Sequence, residues 1–416
     1  MVRKYSQTFH GMSIKIWYRY FKSFAVRGMA KYFGGRRMGE KIWKNAHKNK
    51  EGASAEFGSE EQGKNLRGRR KGTEGRLLLA SGILFAVSLL LQLLARLVPG
   101  FGEWYAVTVY PVIVGTLGRV SGSVPFSVVE AAAYLLTAAA VWYTAVHLKR
   151  IRMVLVRALL FLTGIFFLFT CNCGVNYYRK PFSSYSNLEV RNSSKEELID
   201  LCTTLTETVN QYCEDGVGAA MELKDANREG VAAMRRLGEQ YPQLAGYYPG
   251  PKPLAWSYFF SVQQLCGQYS PFTVEANYNR EMPDYNIPHT ICHELSHLRG
   301  FMREDEANFI GYLACIGSDS PAYRYSGYLT GWVYATNALA KTDMEAYLEL
   351  CGVLDERAWA DLRENNEFWA RYDGKAAEVS NQLNDTYLKI NSQTDGVKSY
   401  GRVVDLMLAY ARKQAD

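Results

Sequence analysis

The chain has 416 residues, 48 Lys plus Arg against 41 Asp plus Glu, eight Cys, and a mean hydropathy of −0.19. That length allows two or three folded units, its 48% apolar content rules out a wholly disordered chain, and the near-neutral hydropathy argues against a protein that is membrane from end to end. The net charge of +7 divides unevenly: residues 1–76 hold 19 basic and 6 acidic residues (+13), residues 77–179 hold 7 and 2 (+5), and residues 180–416 hold 22 and 33 (−11), which implies three parts in three environments.

In the head, residues 12–44 interleave Lys and Arg with Ile14, Trp17, Tyr20, Phe24 and Trp43, while 45–76 are rich in Gly, Ser, Glu and Lys. A basic aromatic stretch suits nucleic acid or anionic lipid, and its position directly before an apolar segment favours lipid at the inner leaflet, with no nucleic acid expected. The head is expected to be partly disordered, and no fold is assigned to 45–76.

Leu77 to Ala95 carries no charge and nearly crosses a hydrocarbon layer of roughly 30 Å. Two more apolar runs follow, so membrane spans are expected near 77–97, 125–147 and 153–175 in a membrane block of residues 77–179. Residues 102–121 are apolar but broken by Pro111 and glycines, and read as an interfacial or re-entrant segment. Lys and Arg are retained on the cytoplasmic side. The basic head and the basic 147–157 loop therefore place the N-terminus inside and residues 180–416 outside, in a multi-pass cell-membrane protein.

Residues 180–416 are mostly helical in period. Ser194-x-x-Glu197 has the spacing of a capping box, followed by Leu198, Leu201, Leu205 and Val209 on one face. Helices are expected at 217–238, 254–267, 288–299, 304–316, 326–340, 343–352, 355–371, 374–390 and 401–413. Pro271 to Tyr278 reads as extended and as an edge strand, whose Thr273, Glu275 and Asn277 would pair with a peptide substrate. The fold class is mainly α, an α+β arrangement with one or two short edge strands. Cys202 and Cys213 would lie about 16 Å apart on one helix, too far to bond each other.

The chemistry concentrates in residues 289–312. His293-Glu294-Leu295-Ser296-His297 is an H-E-x-x-H pattern: on a helix both imidazoles reach one Zn²⁺, and Glu294 stands beside the metal's water. Gly300 can end that helix and reverse the chain, which brings Glu304, Asp305 and Glu306 forward. Glu304 is the preferred third ligand, because Asn308 one turn later could accept the second N–H of a ligating imidazole. Glu306 is the alternative, and Asp305 should point away. His289 lies one turn before His293 and either lines the cleft or starts the helix. Among Tyr323, Tyr325 and Tyr328, Tyr325 is taken as the donor to a developing oxyanion.

The Glu304-x-x-Ala307-Asn308 segment is similar to the one that supplies the third zinc ligand in CAAX prenyl proteases and related gluzincins. The runs Gly174–Arg179, Gly267–Asn277, His293–Phe301, Glu304–Phe309 and Tyr325–Tyr328 more closely resemble the bacterial membrane family described as domain of unknown function 3810, over roughly 77–410. The resemblance implies three spans and an extracytoplasmic gluzincin-like zinc domain; Glu304 follows His297 by seven positions, a tighter turn than in those proteases. The expected function is a membrane-anchored zinc metallopeptidase acting on a peptide or protein substrate, with Glu294 moving the water proton to the leaving amine. The alternative is a membrane sensor or scaffold whose zinc domain binds a ligand without turnover. Oligomeric state is left open.

Overall fold

A computed structural model describes residues 54–390 and 401–415; residues 1–53 of the basic head lie outside the described residues. In chain order, α1 (Ser54–Leu97), α2 (Phe101–Trp104), α3 (Tyr110–Gly122), α4 (Val128–Val146) and α5 (Ile151–Phe169) come first. Among the described residues, three stretches are long and apolar enough to cross a membrane: Gly72–Leu97, Val128–Val146 and Leu148–Tyr178. They match the expected spans to within a few residues. The third continues from α5 through a π-helical turn, Thr170–Gly174, and a 3-10 turn, Val175–Tyr178. No residue of α4 is buried, and Leu135 is 71% exposed, as a lipid-facing helix requires. The helix at 54–76 was not expected. Its Glu, Lys and Arg are good helix formers and extend an already nucleated apolar helix.

Internal packing separates two units. One comprises the described residues up to Ala86 together with Val141–Gly164; within it Arg152 Nε pairs with Glu74 Oε2 at 3.0 Å. The other comprises Val87–Ala140 and the chain from Ile165 onward, and holds the sheet and the helices that follow it.

Its further elements are α6 (Ser183–Ser186), α7 (Lys195–Glu214), α8 (Leu223–Gln240), β1 (Lys252–Pro253), α9 (Tyr258–Val262), β2 (Gly267–Ser270), β3 (Glu275–Tyr278), α10 (Asn286–Leu298), α11 (Glu304–Ile316), α12 (Pro321–Thr342), α13 (Met344–Val353), α14 (Glu356–Ala370), α15 (Lys375–Ile390) and α16 (Gly401–Ala415). The chain is mainly helical with one small three-stranded sheet. The capping box forms at α7: the Glu197 N–H donates to Ser194 Oγ (3.1 Å) and the Ser194 N–H to Glu197 Oε2 (2.7 Å). Leu198, Leu201, Leu205 and Val209 then bury one face of that helix. Helix α10 is buried along all its residues, enclosed by α8, α11, α12 and the sheet. A helix without an exposed face has to satisfy each of its polar side chains internally, so the three histidines and one glutamate there demand specific partners.

Two strand expectations need correction. The sheet order is β1-β3-β2, with β1 parallel and β2 antiparallel to β3, so Glu275 and Asn277 occupy the central strand and not an edge. Thr273 sits in the connecting turn, its hydroxyl donating to Ser270 Oγ at 2.8 Å, and Val274 closes that turn at φ +55°. The edge beside α10 is β2, whose first residue, Gly267, is also the last of the helix expected over 254–267. That helix stops at Val262, since Gln264 turns left-handed at φ +56° and Leu265 and Cys266 lead into the sheet.

Glu275 on β3 is buried and paired with buried Lys252, which also donates to the Ser121 carbonyl at 2.6 Å. The same carboxylate accepts the first two amides of α4, from Val128 at 3.0 Å and Val129 at 2.9 Å. A carboxylate there satisfies orphan N–H groups and meets the positive end of the helix dipole.

Candidate metal centre

The turn after α10 is built to serve His297. Gly300 adopts φ +87°, its N–H bonds the His297 carbonyl at 2.8 Å, and the Phe301 N–H bonds the Ser296 carbonyl at 3.2 Å, a Schellman closure that only glycine accommodates cheaply. The reversal leaves the Phe301 carbonyl 2.7 Å from His297 Nδ1. It also starts α11 with Glu304, whose carboxylate lies 3.3 Å from His293 Nε2 and 3.5 Å from His297 Nε2. One turn along α11, Asn308 Oδ1 lies 2.8 Å from His293 Nδ1.

Both Nδ1 atoms thus face carbonyl acceptors and carry the proton, which leaves both Nε2 lone pairs aimed at one carboxylate oxygen. Two lone pairs and an anion repel unless a cation stands among them. Tetrahedral zinc bonds of 2.0–2.1 Å place donors about 3.3–3.4 Å apart, close to the separations observed. All three donor atoms lie within 4.8 Å of one another and all three residues are buried, so His293, His297 and Glu304 form a group that can hold a metal ion.

Without metal, protons fill part of that role. Burial alone would depress His297, but the Glu304 charge and hydrogen bond outweigh it and hold the imidazole at about 9. Burial lifts Glu294 to about 8, against the opposing influence of His297. The Glu294 carboxyl lies against β2 at Gly267, where a Cβ would stand 2.5 Å from its Oε1, and its Oε2 has no protein partner among the described residues.

The remaining acids of α11 are buried rather than solvated. Glu306 accepts from the Phe182 N–H (3.0 Å) and Arg303 (3.1 Å), outside the triad; burial raises both it and Asp305 above the usual carboxylate range. His289 Nε2 lies 3.1 Å from the Asn308 carbonyl, and burial, with His293 nearby, depresses it to about 3. It supports the wall as a neutral imidazole. Tyr325 is buried and donates to Asp361 at 2.5 Å, so its hydroxyl is already committed elsewhere. Among the described residues the Tyr334 hydroxyl, nine residues on in α12, is buried without a protein partner, as are those of Thr170 and Thr330, and its ring stands edge-on to His289 at 6.1 Å. Sequence reasoning missed Tyr334 and gave Gly267 and Tyr269, though part of the Gly267–Asn277 run, no role at the site: the first is one of many helix aromatics, and the others matter through a strand pairing that local pattern does not encode.

Fold and site together define a mainly helical chain with candidate transmembrane helices and a buried His-His-Glu group of metal-binding type. The chain belongs to the family described as protein of unknown function (DUF3810), whose model matches residues 105–408. Among curated proteins and among solved structures, nothing matches it.

Proposed function

We propose that this chain is a membrane-anchored zinc metallopeptidase that hydrolyses peptide bonds outside the cytoplasm. The observation that carries this reading is the pair of Nε2 lone pairs converging with Glu304 at tetrahedral donor spacing, beside a buried Glu294 with a free carboxyl oxygen. When bound, zinc supplies Lewis acidity that acidifies water and polarises a carbonyl. Glu294 takes the water proton and delivers it to the leaving amine as the C–N bond breaks and the water oxygen joins the carbonyl carbon. Tyr334 is the better oxyanion donor than Tyr325, because its hydroxyl is buried without a protein partner and its ring stands against His289, one turn from His293. The outer edge of β2 at Gly267 and Tyr269, beside Glu294, is the place for an extended substrate to pair.

The proposed organisation is a cytoplasmic head at 1–76, a membrane block at 77–179 and an outer zinc domain at 180–416. Two observations support a common side for the 98–127 connection and the zinc domain: the Lys180 N–H donates to Glu103 at 3.1 Å, and β3 caps α4. The basic 147–157 loop supports the inside orientation of the opposite ends.

Metal analysis of the purified full-length protein tests the centre: about one zinc per chain is expected, with loss in His293→Ala. Glu294→Gln should keep the zinc and abolish chelator-sensitive cleavage; a fully active Glu294→Gln protein would sink the mechanism. The sensor or scaffold reading draws on the depth of the group, with His293 7% and Glu304 6% exposed. It predicts stoichiometric zinc and no cleavage of any chain.

A further inference from the structure

Three parts of the membrane block meet the sheet that adjoins the metal group. The first amides of α4 bond Glu275 on β3. Asn172, in the outer turns of the third span, donates to the Pro271 carbonyl at 2.6 Å, and its own carbonyl accepts from the Tyr269 hydroxyl at 3.1 Å. The Tyr110 hydroxyl of α3 bonds that of Tyr269 at 2.7 Å. Two residues before Tyr269 on the same strand, Gly267 lies against Glu294, so closely that a Cβ there would stand 2.5 Å from Oε1.

From the start of α4 the route to Glu294 therefore crosses only from β3 to β2 and from β2 to α10. With strands about 4.8 Å apart, and allowing for the Glu275 side chain, that is on the order of 10–15 Å. The polar layer outside the hydrocarbon is roughly 5–8 Å deep on each side. The segment that joins β1 to β2 also has the aromatic character of a membrane boundary. Trp256 is 57% and Tyr258 53% exposed, and the Ala255 and Trp256 amides donate to Glu130 in the first turn of α4 at 2.8 and 2.9 Å. The Trp256 ring stands 6.2 Å from Tyr134, one turn further into that span. Such half-exposed Trp and Tyr are enriched at headgroup level.

We propose that the substrate is a polypeptide anchored by its own membrane span and cut close to where it leaves the bilayer, an inference that rests on the peptidase reading. An extended chain rises about 3.3 Å per residue, so on the order of three to five residues beyond the span bring the scissile bond to Glu294. Soluble peptides lack the means to be held at that height.

The test uses full-length protein in lipid nanodiscs with zinc, and probe peptides carrying a randomised eight-residue segment and a benzophenone. One set joins the segment directly to a 20-residue apolar span, a second inserts a 20-residue Gly-Ser spacer, and a third is soluble. Cleavage within about three to six residues of the span, at least tenfold faster in the first set than in the third and reduced by the spacer, is the expected result. Equal cleavage of all three sets overturns the inference while leaving a peptidase standing. Glu294→Gln protein supplies a readout without turnover: the directly anchored set should crosslink to residues 266–270 at least tenfold more than the soluble set. Such crosslinking without cleavage by the wild type would keep the membrane-level site and remove the peptidase, whereas equal crosslinking of anchored and soluble peptides overturns the inference.

Discussion

Asn308 and the Phe301 carbonyl decide which nitrogen each imidazole offers, so their loss should act on the metal before the fold. Asn308→Ala is expected to weaken zinc binding about 10–100-fold in a competition titration, with an unchanged circular dichroism spectrum. Proton linkage gives a second expectation. In the metal-free protein His297 keeps its proton up to about 9, against 6.5 in an unfolded chain, and Glu294 up to about 8, against 4.5. Both folded values are raised, so the folded form binds more protons; this stability is present below the unfolded values and is lost as pH rises through about 8 and 9. Zinc replaces the proton on His297, so its affinity should rise with pH, by up to tenfold per unit, and level off above about 9. The zinc-induced rise in Tm should accordingly grow from pH 6.5 to 9; a rise that shrinks over this range would contradict the assignment.

Strand β2 carries the site's tightest steric condition. A Cβ on Gly267 would stand 2.5 Å from Glu294 Oε1 and 2.8 Å from Thr290 Cγ2, so Gly267→Ala must displace the carboxyl or the strand. At least a tenfold loss of cleavage is expected with zinc content retained; undiminished activity would separate β2 from the reaction. This strand also marks the limit of what the sequence discloses. Helices α7, α10 and α11 were legible because caps, period and the i, i+4 histidine pair are local, and so was Gly300 as the reversal. Which strand forms the edge depends on pairing Gly267 with Tyr278 and Lys252 with Asn277, partners chosen by the tertiary fold. Tyr334 was illegible for a related reason: its distinction is a missing hydrogen-bond partner, whereas Tyr325 looked equally available until Asp361, 36 residues away, engaged it.

At the scale of the whole molecule, charge and membrane topology belong together. With the basic segments inside, a membrane-impermeant maleimide should label Asp215→Cys, at the exposed turn after α7, on intact cells, and Lys149→Cys only after lysis. The reverse pattern would put the metal centre in the cytoplasm. The capping of α4 by Glu275 has a consequence in time. The carboxylate that completes the start of the second span lies 147 residues downstream of Val128, so at about 5–20 residues per second it leaves the ribosome roughly 7–30 s later. Until then the first amides of that candidate membrane helix lack this partner. A chain that ends ahead of residue 275 carries this candidate membrane helix without the carboxylate that meets its first amides, an open helix end by which incomplete copies differ from complete ones.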